Sequence, residues 1–120
     1  VRNLKKIAFV LVLVMLFSLV LSSCLRGTLD KRSGLSQSLK ATEDNIRQGN
    51  WEQAADNLKI SKEAWKGLKP FLQLDIDHDY VNIIEDNFVI LSVYIECQEK
   101  LESLAAILLL RKNWDNIGEM

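Results

Sequence analysis

The densest set of chemically capable side chains in this 120-residue chain lies in LQLDIDHDYV, Leu72 to Val81. Asp75, Asp77 and Asp79 recur at every second position, and His78, the chain's single histidine, stands between the last two. Together with Asp86 the aspartates fall at positions one, three, five and twelve of a calcium loop, where hard oxygens wrap a cation. That template breaks at its sixth position, where the sharp turn needs Gly and Tyr80 stands instead. It breaks again at its twelfth, since Asp86 is one methylene shorter than the bidentate Glu, and at its eighth, where polar Asn82 replaces an apolar residue. Zinc requires Cys or further His beside a single His. Asp75, Asp77, His78 and Asp79 are thus metal candidates without a complete ligand set, and no metal or other cofactor is expected.

Covalent and acid/base chemistry finds equally little support. The chain has no G-x-S-x-G elbow, phosphate-binding loop or H-E-x-x-H pair. Nothing in the sequence positions Cys97 against His78, or His78 against Asp79 or Glu85, as nucleophile, base and orienting group. An enzyme is not expected. A turn accounts for the aspartates more simply. Asp77 or Asp79 can accept the free N–H groups that open a helix, and negative charge there complements the helix dipole.

The elements on either side support that reading. Five glycines, one proline and long 3.6-type periodicity argue for an all-α chain. Leu35, Leu39, Thr42 and Ile46 share one helical face, with Glu43 and Arg47 as an i,i+4 pair beside it. Gly49-Asn50 ends that helix, and Asn50 with Gln53 has the form of a capping box for the next. There Trp51, Leu58, Trp65 and Leu72 stand seven residues apart, with Ala54, Ala55, Ser61 and Leu68 completing the stripe. Trp51 and Trp65 are accordingly expected as structural residues of the core. Pro70 should kink or restart this helix.

Two more stripes follow: Tyr80, Ile84, Phe88, Leu91, Ile95, then Ser103, Ile107, Leu110, Trp114, Ile117, preceded by Leu101 and Leu104. ECQEK, 96–100, contains no Gly or Pro, so one helix or two remains open across 79–117. Cys97, in an apolar-periodic run, is expected to be a small buried residue. Residues 35–120 should therefore fold as an antiparallel bundle of three to four helices.

The first residues read differently. Arg2, Lys5 and Lys6 precede Ile7 to Leu21, fifteen residues of which only Ser18 is not apolar. Leu21-Ser22-Ser23-Cys24 then resembles the lipobox of bacterial lipoproteins, in which Cys24 is the lipidated residue. A basic start, an apolar core and small residues form an export signal. The alternative is an uncleaved anchor, since Ile7 to Leu25 as a helix spans about 28 Å. Either way 1–24 is a signal or anchor helix, 25–34 a juxtamembrane linker and 35–120 the helical domain. Basic residues before the apolar run place that domain outside a bacterial cytoplasmic membrane.

Charge narrows the partners. Residues 24–70 hold nine basic and six acidic groups, while 71–120 hold three and ten. Complementary helices packing together account for this asymmetry, and an acidic domain is not a nucleic-acid binder. Arg26, Lys31 and Arg32 suit anionic lipid near the anchor.

Gly49-Asn50-Trp51, then Trp65, then Ile76-Asp77-His78 and an apolar helical tail resemble a family of small bacterial proteins, the domain of unknown function DUF4363. The resemblance covers most of 35–117 and implies an N-terminal apolar anchor with a helical remainder. It implies no activity and no catalytic residues. GNWEQA, 49–54, also resembles the second helix of a tetratricopeptide repeat, but EDNFVI from position 85 does not reproduce the pattern.

The expectation is a membrane-tethered, extracytoplasmic, non-catalytic interaction or accessory module. Its partners would be membrane lipid and a membrane or cell-envelope protein. The alternative is a small-ligand or metal-binding sensor centred on Asp75–Asp79. His78 is the residue singled out for an interaction role at the joint.

Overall fold

The computed structural model describes residues 2–74 and 76–118, with the side chains of 3–18, 33–74 and 76–117. Among the described residues all regular structure is helical. The helices are α1 (Arg2–Ser33), α2 (Leu35–Gln48), α3 (Trp51–Leu72), α4 (His78–Glu96) and α5 (Lys100–Gly118). Residues 25–34, read above as a linker, are helical to Ser33 and turn at Gly34.

Helices α2 to α5 form an up-down-up-down bundle. α2 packs on α3 and α5, and α4 packs on the same two helices, so the four close into a ring. Short connections force each helix back along its predecessor. The core is drawn from one stripe per helix. Leu35, Leu39 and Ile46 of α2 meet Leu58, Trp65 and Leu68 of α3, Ile84, Phe88 and Leu91 of α4, and Ile107 and Leu110 of α5. Burying such a side chain is worth about 1.5–3 kcal/mol, so the stripes dominate the bundle's stability. Trp51, Leu72, Tyr80 and Trp114 close its margins, half-buried. Ala55 and Leu101 fall outside the buried face and are exposed.

The turn at Gly49 explains one departure from the sequence reading. Gly49 adopts φ +74°, and Asn50 N–H bonds back to the Asn45 carbonyl while Gly49 N–H bonds to Ile46. This double bond pattern closes the end of α2 with a left-handed residue, which Gly takes without strain. Asn50 N–H is thereby consumed, so Gln53 cannot complete a capping box with it. The Asn50 side chain donates instead to Gln48 Oε1 at 3.1 Å.

Nor does Pro70 restart α3. It lies within the helix, in the last turn, and the helix ends two residues later. Between α4 and α5 the open question resolves into two helices. Glu99 N–H bonds to Tyr94 and Gln98 N–H to Ile95, the same closure as at Gly49. Here the left-handed residue is Gln98, at φ +55°. Cys97 caps α4 and is exposed, contrary to the buried position expected. The α4 stripe ends at Ile95, and Cys97 falls on the opposite side of the helix.

α1 touches only the near end of the bundle, against α2 and α3. The molecule measures 73 × 26 × 20 Å, whereas α3 alone spans about 33 Å, so α1 extends the long axis. Its described apolar side chains, up to Phe17, are exposed on every side, with Leu4 at 73%, Phe9 at 67% and Phe17 at 68%. Among the described residues no helix is long and apolar enough to cross a membrane. The side chains of 19–32, including Cys24 and the basic Arg26, Lys31 and Arg32, lie outside the described set.

Candidate functional site

The joint between α3 and α4 is where the sequence gathers its titratable residues, and the structure assigns them local tasks. Asp77 takes an extended conformation, φ −64° and ψ 144°, and its carboxylate accepts from Asp79 N–H at 3.4 Å. It is the N-cap of α4. Asp79 occupies the first turn, exposed, where its charge favours the helix N-terminus. His78 is the first helical residue and is exposed as well, and among the described residues it makes no hydrogen bond that would fix its ring. Asp75 lies outside the described residues.

Because α4 begins at His78, the fourth position of the calcium template is already helical, and Asp86 sits more than two turns along that helix. Helical backbone cannot curl around a cation as the loop must. Among the described residues, no three His, Cys, Asp or Glu side chains converge on a common point.

Two clusters that form only when the helices pack hold most of the polar contacts between them. Between α3 and α4 lies an open groove of about 350 Å³, lined by Lys62, Trp65, Lys66, Lys69, Glu85, Phe88 and Val89. Lys69 Nζ meets Glu85 Oε1 at 2.5 Å, and the Trp65 indole donates to the same oxygen at 3.4 Å. The hydrogen bond from Lys69 outweighs burial and holds the Glu85 carboxyl below its ordinary value, with Trp65 adding to the effect. Lys62 donates to Ser92 Oγ at 2.6 Å, and Lys66 pairs with Glu63 at 3.5 Å. Lys62 and Lys69 thus join α3 to α4, while Lys66 pairs within α3.

The second cluster is on the opposite side of the core. Glu43 is buried, with its side chain 9% exposed, and accepts from Arg47 of its own helix at 3.0 Å and from Arg111 of α5 at 2.5 Å. Burial alone would raise this carboxyl; the hydrogen bonds and charges of the two arginines prevail and lower it. The i,i+4 pair seen in the sequence is therefore half of a clamp between helices. Nearby, Ser61 donates to Ser38 Oγ at 2.8 Å, and Ser38 donates to the Leu35 carbonyl at 3.0 Å.

Of the tryptophans, Trp65 is 3% exposed and stacks edge-on against Trp114, with ring centroids 6.3 Å apart at 88°. The Trp114 indole donates to Ser36 Oγ at 2.9 Å, so one aromatic pair ties together α3, α5 and α2. Trp51 is half-buried at the far end of α3.

A family model described as Domain of unknown function (DUF4363) matches residues 27–120, the whole of the bundle with the end of α1. The chain belongs to this family. No curated protein and no solved structure matches it. The motifs that carried the resemblance have visible roles in this DUF4363 bundle. Gly49 closes α2, Trp65 centres the core, and Asp77 opens α4.

Proposed function

We propose that this chain is a membrane-tethered, non-catalytic helical module on the extracytoplasmic side of a bacterial cytoplasmic membrane, where the bundle binds or supports another envelope protein. The observation that carries the reading is α1. Its apolar run from Ile7 to Phe17 is exposed on all sides and follows Lys5 and Lys6 of the same helix, a surface suited to lipid. The bundle end nearest α1 adds to this. Connectivity puts the α3–α4 joint at that end, where Phe71 is 60% and Leu74 86% exposed, beside the lysines of α3.

The polar groups of the bundle support an accessory role, because Glu43, Glu85 and the serines serve to hold helices together. Gentle solubilisation of membranes and recovery of the tagged full chain tests the interaction. A stoichiometric envelope protein is expected, and recovery of the chain alone would overturn it. Mass spectrometry of the mature N-terminus decides how the tether is made. A start at acylated Cys24 identifies a lipoprotein, and an intact N-terminus identifies an uncleaved anchor.

A further inference from the structure

The core uses one face of α4, yet the opposite face is also apolar. Ile83, Ile90 and Val93 recur at helical spacing and are 44%, 47% and 51% exposed. Patches of this kind on a small bundle mark contact surfaces more often than free solvent faces.

The charges along this face say what covers it. Asp79 and Asp86 fall in line with Ile83 and Ile90, four or seven residues apart, and both are exposed. Among the described residues neither forms an ion pair, and α4 contains no Lys or Arg. We infer that the outer face of α4 docks a basic amphipathic helix of a partner protein. Its apolar side chains would cover Ile83, Ile90 and Val93, and its Lys or Arg would pair with Asp79 and Asp86. A second copy docked through the same face of α4 would bring Asp86, near the middle of the helix, against its own counterpart, and an anionic lipid surface would also oppose like charge.

The inference rests on the interaction-module reading above, and the test separates the two. A photo-crosslinking residue replaces Ile90 in the full chain in its own membranes, with a second version at exposed Asp56 of α3 as the control position. Position 90 is expected to capture a segment bearing Lys or Arg alternating with apolar residues at helical spacing. Asp86→Lys, at an exposed and unpaired position, should lower that yield about tenfold or more by opposing like charges, with an unchanged thermal melt.

Adducts from position 90 only to lipid, to a second copy, or to a segment without basic residues overturn the inference. So does a yield indifferent to Asp86→Lys. Protein adducts at position 56 with none at 90 leave the module reading standing and remove this face. Protein adducts at neither position remove both.

Discussion

Replacing Glu43 with Gln tests the account of how the bundle is held, because the effect must depend on pH in one direction. Glu43 accepts two charge-assisted hydrogen bonds, from Arg47 and Arg111, while itself nearly buried. Such bonds contribute about 1.5–3 kcal/mol each when desolvated. The Arg47 side chain is 51% exposed, so solvent screening reduces its share to about 0.5 kcal/mol. Arg111 is 34% exposed and reaches across from α5, which leaves about 1.5 kcal/mol for the bond between helices. Glu43→Gln should then destabilise the full chain by about 2 kcal/mol at neutral pH, read from urea denaturation in mild detergent by far-UV circular dichroism.

The pH dependence follows from the lowered carboxyl. Its folded-state value lies below the ordinary 4.5, so its stabilisation is fully present above that value. It is lost as pH falls through the folded-state value, where wild type acquires the neutral side chain that Gln imitates. The difference between the two proteins should shrink below pH 4.5 and vanish once Glu43 is protonated in both states. A constant difference at every pH, or one under about 0.5 kcal/mol at neutral pH, would refute the clamp.

The remaining predictions concern the turns, the interior and the joint. Gly49→Ala places a Cβ at φ +74° with open space around it, so only backbone strain enters, and a loss of about 1 kcal/mol is expected in the same denaturation assay. Gln98→Gly relieves the corresponding strain at φ +55° and should leave stability unchanged or raise it by up to about 1 kcal/mol. Ser103 is fully buried with a hydroxyl that has no partner among the described residues, so Ser103→Ala should raise stability by about 1 kcal/mol, read as a higher denaturation midpoint. His78→Ala should change stability by less than about 0.5 kcal/mol, as for other exposed sites. Calorimetric titration with calcium and with zinc should then give the same trace for wild type and variant.

The bundle was legible in the sequence because each helix buries a single stripe. Leu39, Leu58, Ile84 and Ile107 announce their burial by spacing alone. The capping at Asp77 was legible for the same local reason, since the acceptor and donor are two residues apart. What escaped were effects that need two helices at once. Glu43 reads as a surface partner of Arg47 until α5 brings Arg111, 68 residues on, to its other side. Lys62 and Lys69 share a face of α3, a signal present in their spacing, but Ser92 and Glu85 become their partners only through packing.

Turn chemistry misled in two places. Asn50 and Gln53 have capping-box residues, but the closure of α2 takes the N–H that the box requires. ECQEK has no helix breaker, yet α4 ends there because Gln98 accepts a left-handed backbone. The second apolar face of α4 was also in the sequence, hidden by the stronger stripe opposite it. Cys97 was misplaced for that reason, since apolar residues on both faces make the run look buried all round.

The central claim is the tether and the side of the membrane on which the bundle stands. Protease added to intact spheroplasts tests it most directly, followed by detection of the C-terminal region in alkaline-washed membranes. The account predicts that the chain stays with the washed membranes and that external protease removes the bundle. A chain released by the wash, or a bundle protected until the membrane is opened, would contradict it.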